Sequence, residues 1–441
     1  MPGTLVLHRG GRTACTRLLL AAGCFVAALH VAAGCAGPIR FPAAPLDAAP
    51  TDAAPMQSYD TDGNGQPDYF TMQDATGRTV RIAYDTLADG RPDAFINLDD
   101  IPVTDCRHVV FMLDGISYDT VEAYRQEGGL RLFHPPAPLV STFPAMTDLV
   151  FTDVFQSARC RSSEAVYFDH STNRLAGGDA DYLSMLNEDW ARCTDYRAST
   201  IVDPLAYLFP GFYFEQEVAA VAKLFDRRDR PRLVAYLVST AGLGTKELLE
   251  GQQKVLRRID RMAEELVWKT RGLVKLTILT DHGHALVRCK WIDFSKFLKA
   301  KGWNVRDRLD APHDVVSIEY GLVTYASFAT RDRPGLAATL LENEGVDVVT
   351  YAADGTVVVE SAAGRALIDR RGSRYRYRPV TGDPLGLVPV IRKAREEAKA
   401  GDPPLFDGED FAEDREWLRL TFAHEYPDAL DRLWRAFHGL T

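Results

Sequence analysis

The chain has 441 residues, of which 46% are hydrophobic and 25% are charged, and its formal net charge is −10. This is the composition of an ordinary globular protein, with room for one large domain and smaller appendages. The acidic balance argues against nucleic-acid backbones and anionic membrane surfaces as general partners, although an acidic protein can bind a phosphoester where a metal ion supplies local positive charge.

The first 35 residues have the layout of an export signal. Three arginines precede the mostly apolar stretch 18–33, and small residues stand directly before Cys35. This arrangement resembles the bacterial lipoprotein cleavage site, at which Cys35 would be acylated and become the new N-terminus; an ordinary cleaved signal and a short uncleaved anchor are the alternatives. We therefore expect an exported protein held by lipid at the bacterial cell envelope, and Ala36 favours the outer membrane and periplasm.

Residues 36–58 are rich in alanine and proline. Such a segment buries too little apolar surface to fold, and it is predicted to be a semi-extended tether between the membrane and the folded protein. Export also bears on the four cysteines that follow Cys35, because an oxidising compartment allows two disulfides among them, in three connectivities. These cysteines are Cys106, Cys160, Cys193 and Cys289.

Two copies of one Asp/Gly-rich unit follow, within the predicted repeat region 59–104. They read YDTDGNGQPD (Tyr59–Asp68) and YDTLADGRPD (Tyr84–Asp93). The first copy spaces its oxygen side chains as in the first nine positions of an EF-hand loop, so it is a candidate calcium site. The candidate ligands are Asp60, Asp62, Asn64 and Asp68. The second copy has Leu87 in the place of Asp62 and is predicted to be a plain turn; the alternative for both copies is a pair of hairpin turns in a small β-sheet.

Residues 105–441 are predicted to form one α/β domain. Buried strands are predicted at 109–113, 232–238 and 273–280, and short strands at 346–349 and 356–359. Helical patterns separate these strands, among them an amphipathic helix over Lys246–Trp268 and a shorter one over Ser117–Arg125. The alternation predicts a mostly parallel central sheet with helices on both faces.

Two of the predicted strands are followed directly by residues of the types that bind metal ions. The stretch HVVFMLDG ends in Asp114-Gly115, and LVKLTILTDHGH contains Asp281-His282-Gly283 directly after its strand. Ligands of open α/β sheets bind beyond the carboxyl ends of the strands, where these residues fall. Either motif alone is equally a turn or a helix cap, but the pair favours a metal site.

A third motif, VSTFP, lies between them. Pro144 is expected in the first turn of a helix, which would place the hydroxyls of Ser141 and Thr142 at a helix N-terminus, where backbone N–H groups favour anions.

In the order LDG, STFPAMT and LTDHG, these motifs resemble the type I phosphodiesterase/nucleotide pyrophosphatase branch of the alkaline phosphatase superfamily, over roughly residues 105–440. The resemblance implies an alkaline-phosphatase-like fold and a metal-dependent hydrolase of phosphoric esters. It also implies that Thr142 is the nucleophile and a metal ligand, and that Asp114, Asp281 and His282 hold one of two divalent ions. Zinc is favoured, with manganese and magnesium as alternatives. The implied substrate is a small phosphoester or a phosphorylated envelope component.

The chain departs from that family at the other metal ion. Ala241 and Thr245 stand where the family has an Asp and a His, and Ala145 stands where it has an Asn. The third ligand of this ion has no clear counterpart; His313 and His438 are candidates, and the alternative for each is a surface histidine or one satisfied by its own contacts. We therefore expect one metal site to be complete and the other to be missing, which impairs catalysis. The alternative is a catalytically inactive relative with a binding or structural role. A third hypothesis places the role of a surface protein in the Asp-rich repeat.

Overall fold

A computed structural model describes residues 6–7, 41–42, 45–46, 56–157, 166–178, 189–200, 202–227, 230–318, 322–397 and 404–438. The predicted export signal, apart from residues 6–7, lies outside them together with the lipidation residue Cys35 and most of the predicted tether. Within the described part of the chain, no helix combines the length and apolar character that crossing a membrane requires.

The described residues form a mixed α/β structure. Its strands are β1 (Val6–Leu7), β2 (Met56–Tyr59), β3 (Tyr69–Gln73), β4 (Thr79–Tyr84), β5 (Ala94–Asn97), β6 (Arg107–Leu113), β7 (Val166–Asp169), β8 (Arg174–Gly177), β9 (Arg232–Leu237), β10 (Val274–Thr280), β11 (Asn304–Val305), β12 (Asp314–Ile318), β13 (Leu322–Val323), β14 (Ser327–Thr330), β15 (Val348–Ala353), β16 (Thr356–Ser361), β17 (Gly364–Arg371), β18 (Arg374–Gly382) and β19 (Ala412–Glu413). Its α-helices are α1 (Tyr118–Gln126), α2 (Thr147–Val154), α3 (Asp203–Leu208), α4 (Pro210–Asp226), α5 (Ser239–Thr270), α6 (Phe294–Ala300), α7 (Arg333–Leu340), α8 (Val388–Glu397), α9 (Asp414–Thr421) and α10 (Ala429–His438).

These elements belong to two compact units. The N-terminal unit holds the described residues of Gly10–Leu139 and Ala191–Leu286, and the C-terminal unit holds those of Met1–Arg9, Val140–Trp190 and Val287–Thr441. The LDG and DHG motifs therefore lie in the N-terminal unit together with the Asp/Gly-rich repeat. The STFP motif lies in the C-terminal unit.

The N-terminal unit contains a three-stranded parallel sheet in the order β10, β6, β9. The central strand β6 contributes Val109, Phe111 and Leu113, which are fully buried and pack in one core with apolar residues of α4 and α5. The burial of β6 and β9 explains why these two strands are almost unbroken apolar runs, whereas β10 is mostly half-buried and carries Lys275 and Thr277 among its apolar residues.

Helix α5 begins at Ser239, directly after β9, and not at Lys246 as predicted. The glycines that make this stretch resemble a loop allow close packing: a Cβ atom at Gly242 would lie 2.4 Å from the carbonyl oxygen of Ala206 in α3. A kink at Leu248, whose φ is 56°, divides the helix.

The Asp/Gly-rich repeat forms a four-stranded antiparallel sheet in the order β2, β3, β4, β5. Its buried tyrosines Tyr59, Tyr69 and Tyr84 belong to the same core as the parallel sheet. The repeat is thus packed into the N-terminal unit, with its two Asp-rich loops joining β2 to β3 and β4 to β5.

The C-terminal unit is built mainly on antiparallel pairs, including a five-stranded sheet in the order β15 to β19. The prediction that the strands at 346–349 and 356–359 join a parallel sheet is therefore wrong. Asp354 and Gly355 both have positive φ, at 47° and 75°, and they form a two-residue turn between β15 and β16. Because so short a connection can join only antiparallel strands, the Asp-Gly pair was a hairpin signal.

The disulfides that the sequence allows are not formed among the described cysteines. Cys106, Cys193 and Cys289 are free thiols, and Cys160 lies outside the described residues.

Candidate functional site

The ends of two neighbouring strands bring three candidate metal ligands together in the N-terminal unit. Leu113 of β6 is paired in register with Thr280 of β10, so that the next residues, Asp114 and Asp281, leave the sheet side by side. His282 follows, and its Nε2 lies 3.7 Å from Asp114 Oδ1 and 3.5 Å from Asp281 Oδ2. One ligand atom from each of the three residues lies within 4.8 Å of the others, which is close enough to share one ion.

Hydrogen bonds hold the two carboxylates in this arrangement. Asp281 Oδ1 accepts from the backbone N–H of Gly115 at 3.0 Å and of His282 at 2.8 Å. Asp114 Oδ2 accepts from the Tyr236 hydroxyl at 2.6 Å. These bonds use the carboxylate oxygens other than the pair nearest the histidine, so they orient the ligands as neighbours of a metal site commonly do.

The electrostatics of the three residues suit a cation. Asp114 is only 5% exposed, and burial together with the nearby Asp281 carboxylate raises its pKa well above the usual range. Two buried carboxylates and an imidazole form a donor set that zinc, manganese and magnesium accept. A divalent ion would relieve the repulsion that raises the pKa, so the residues fit the predicted metal.

Helix α5 and strand β9 support this centre through residues that the sequence reasoning missed. The Thr240 hydroxyl donates to the carbonyl of Asp114 at 2.8 Å, and Gln252 Nε2 donates to the carbonyl of Gly115 at 2.6 Å. Tyr236, described above, pairs with Met112 of β6, one residue before the strand ends. Its hydroxyl in the otherwise apolar run LVAYLV was the available signal, because a buried tyrosine needs a hydrogen-bond partner.

Ala241 and Thr245, the positions at which the resemblance implies ligands of a second metal ion, also lie near this centre. A Cβ atom built at Gly115 would be 3.8 Å from the methyl group of Ala241 and 3.9 Å from His282 Cε1. Thr245 Oγ1 lies 3.3 Å from His284 Nε2. Burial, with His282 nearby, lowers the pKa of His284.

Thr142 lies in the C-terminal unit, in the segment before α2. Because α2 begins at Thr147, the prediction that Pro144 starts a helix with Thr142 at its N-terminus is wrong. The buried Thr142 hydroxyl donates instead to the carbonyl of Pro144 at 3.0 Å, and its own carbonyl accepts from Arg432 at 3.2 Å. The Thr142 hydroxyl therefore binds a backbone carbonyl and does not lie at a helix N-terminus, where it was expected to help bind an anion.

A small cavity of about 70 Å³ adjoins Thr142. Its lining includes Asp428 and Asp431, which together with Asp414 form an acidic cluster that the sequence did not predict. Tyr375 donates to Asp431 at 2.8 Å. Burial raises the pKa of Asp428 to about 7.

The two histidines considered for the second ion pack on aromatic rings within the C-terminal unit. The ring of His313 contacts Trp303 edge-on, and His438 stacks on Trp434 with ring centroids 4.4 Å apart.

In the candidate calcium loop, hydrogen bonds define the turn. The Asp60 carboxylate accepts from the backbone N–H of Gly63, Asn64 and Gly65, and Asp68 accepts from both the N–H and the hydroxyl of Thr61.

The second copy has the corresponding bonds at Asp85 and Asp93. Both loops therefore share one turn, and Asp62 is the candidate ligand that distinguishes the first loop from the second, which has Leu87 at that position.

Comparisons of the chain with protein-family models, with curated proteins and with solved structures find no match.

Proposed function

We propose that the protein is a metal-dependent hydrolase of phosphoric esters, with Asp114, Asp281 and His282 as metal ligands and Thr142 as nucleophile. The observation that carries the proposal is the convergence of the three ligand atoms at the ends of two parallel strands. The finer architecture, an alkaline-phosphatase-like sheet, is part of the same proposal and rests on the order of the three motifs.

Asp114, Asp281 and His282 would hold the divalent ion, which when bound would supply the positive charge that polarises a phosphoryl oxygen. Tyr236 fixes the orientation of Asp114, and the backbone N–H groups of Gly115 and His282 fix that of Asp281. In the proposed reaction the Thr142 oxygen attacks phosphorus and gives its proton to solvent. The bond between phosphorus and the ester oxygen breaks, and that oxygen takes up a proton from solvent as the alcohol leaves. Water then attacks the phosphothreonine, which releases phosphate, or a monoester from a diester, and restores the hydroxyl.

The alternative function is a catalytically inactive relative that acts as a binding or structural protein. Ala241 and Thr245 favour it, because a methyl group and a hydroxyl that contacts His284 replace a carboxylate and an imidazole. Neither replacement is a competent ligand for a second ion. Loss of one ion weakens the clamp on the attacking and leaving oxygens of an in-line displacement.

The proposal also includes a location and a second cation. We propose that acylation of Cys35 holds the protein at the bacterial envelope. We also propose that the first Asp-rich loop binds calcium. The loop's support is the alternation of Asp60, Asp62, Asn64 and Asp68 around Gly65, whose φ is 87°.

Hydrolysis of 4-nitrophenyl phosphate and bis(4-nitrophenyl) phosphate tests the proposed function. The protein is stripped with EDTA and assayed with zinc, manganese or magnesium, and Thr142→Ala and Thr142→Ser are compared with the unaltered chain. We expect metal-dependent turnover that the alanine variant loses and the serine variant retains in part. If the unaltered chain, folded and loaded with metal, turned over no faster than Thr142→Ala, the protein would be the inactive relative instead.

A further inference from the structure

The N-terminal unit contains a cavity of about 570 Å³ whose lining includes none of the three candidate metal ligands. Helix α5 contributes more of the lining than any other element, and the rest comes from α4, α1, β2 and the connecting residues Pro45, Gly128 and Arg131. Cavities of this size hold small molecules in many proteins.

Positive side chains dominate the charged lining. There are five, against three acids: Arg131, Lys254, Arg257, Arg258 and Arg261 face Glu215, Asp260 and Glu264. Four of the cations follow one another on α5 at intervals that place them on one face of the helix, where like charges repel. A ligand with negative charge would relieve this repulsion.

The cations are only partly neutralised by the protein. Lys254 is paired with two carboxylates outside the lining, Glu247 at 2.6 Å and Glu250 at 3.2 Å, so the positive charge left for a ligand lies on the arginines. Arg258 Nε pairs with Glu215 at 3.0 Å, but the Nη1 atom of Arg258 is buried with no hydrogen-bond partner. Arg261 donates to a neutral carbonyl, that of Phe41, and its Nε is likewise buried with no partner. Arg257 is exposed and makes no hydrogen bond or ion pair with any described residue.

The acids oppose this positive charge less than their number indicates. Burial, reinforced by the Asp260 carboxylate, raises the pKa of Glu264 to about 8, so this group is mostly neutral at pH 7. Asp260 Oδ2 already accepts from the Tyr124 hydroxyl and the Leu130 N–H. The lining therefore offers guanidinium donors to a ligand, with Tyr59, Tyr124 and Phe214 as apolar surface beside them.

We infer that this cavity binds a small organic oxyanion, with a phosphoryl or carboxylate group on the α5 arginines and an apolar or aromatic body against the ring side chains. Arginine forks match both groups through paired N–H donors, which explains why arginine and not lysine prevails on this face. The site is additional to the proposed hydrolase and does not require it.

Isothermal titration with phenylphosphonate, benzoate and neutral benzyl alcohol tests the inference. Phenylphosphonate is not an ester, and excess EDTA keeps the metal centre empty, so turnover and binding of the probe through a metal ion are both excluded. We expect saturable binding of an anionic probe and none of benzyl alcohol. Tighter binding of phenylphosphonate would assign a phosphoryl ligand, and tighter binding of benzoate a carboxylate ligand.

Three variants complete the test. Arg257→Gln should weaken binding about tenfold, since a charge-assisted hydrogen bond is lost, and Arg257→Glu should weaken it further. Arg91→Gln, at an exposed arginine outside the cavity, should leave binding unchanged. Absence of saturable binding, equal binding by Arg257→Glu, or equal binding of benzyl alcohol would overturn the inference. Loss of binding in Asp281→Asn would assign the probe to the metal centre and also overturn it.

Discussion

Thr245 and His284 contact each other beyond the ends of β9 and β10, with Thr245 Oγ1 3.3 Å from His284 Nε2. Nearby, Ala241 presents its methyl group to Gly115. In the resembled family, the positions of Ala241 and Thr245 carry ligands of the second ion. Because the side chains of Ala241 and Thr245 are neutral, they offer no strong ligand for a second ion beside Asp114, Asp281 and His282.

Introducing Asp at position 241 and His at position 245 should create a binding site for a second metal ion. We expect the double variant Ala241→Asp, Thr245→His to bind two zinc ions per chain, against one for the unaltered protein, as measured by native mass spectrometry. Without metal it should be less stable, because position 241 is 6% exposed and an unpaired buried charge is costly. The matched pair Ala241→Asn, Thr245→Gln should bind one ion. Equal metal content of the two double variants would refute the assignment of positions 241 and 245.

Removing one ligand should abolish metal binding without unfolding the protein. In Asp281→Asn the amide oxygen can still accept from the N–H of Gly115 and His282, but the charge that attracts the ion is gone. We expect zinc to raise the thermal midpoint of the unaltered protein and to leave that of Asp281→Asn unchanged. Asp119→Asn, at an exposed aspartate in α1, is the control. A zinc-induced shift of normal size in Asp281→Asn would show that the ion binds elsewhere.

The Tyr236 hydroxyl should tune the Asp114 carboxylate. Its hydrogen bond lowers the pKa of Asp114, opposing the larger effect of burial. Metal binding requires the deprotonated carboxylate, so Tyr236→Phe should move the pH of half-maximal zinc binding upward. Loss of this buried bond should also cost about 1–3 kcal/mol of unfolding free energy. Tyr118→Phe, at an exposed tyrosine, should change neither quantity, and an unshifted pH midpoint in Tyr236→Phe would contradict the role.

Glu217 should make the protein less stable as pH rises. Glu217 belongs to α4, and its carboxyl contacts the start of α5, where it accepts from the N–H groups of Val238 and Ser239. Burial raises its pKa to about 8. Between its ordinary pKa and about 8 the unfolded chain releases a proton that the folded chain keeps, so unfolding becomes more favourable with rising pH.

The contribution of this one group is up to about 1.4 kcal/mol per pH unit. Urea unfolding between pH 5 and 8 should therefore give a smaller slope with pH for Glu217→Gln than for the unaltered chain. Identical slopes would show that Glu217 does not titrate in this range.

The two Asp-rich loops form an internal comparison for calcium. We expect calcium to raise the thermal midpoint of the unaltered protein and to have no effect on Asp62→Leu, which converts the first loop to the pattern of the second. Asp85→Asn, in the second loop, should keep the calcium response. The same response in Asp62→Leu would leave the first loop as a plain turn held by its own hydrogen bonds.

Much of the N-terminal unit was predictable from local patterns. The three strands of the parallel sheet lie within two residues of their predicted ends, since short, mostly apolar runs are typical of strands in such a sheet. Helix α1 begins one residue after the predicted start, with Ser117 as its cap, and its position is confirmed. The start of α5 was missed because Gly242 indicates a loop, whereas its missing side chain makes room for Ala206.

Local sequence patterns were enough to show which chemical groups are present: an Asp and an Asp-His pair at strand ends, and a repeated Asp/Gly turn. Which of these groups meet depends on the folded chain, because hydrogen bonds such as that from Tyr236 to Asp114 join residues more than a hundred positions apart. The folded chain also decides their electrostatics. Burial raises the pKa of Asp114, Glu217 and Glu264, and burial depends on the packing of distant helices and strands around each group, which no local pattern encodes.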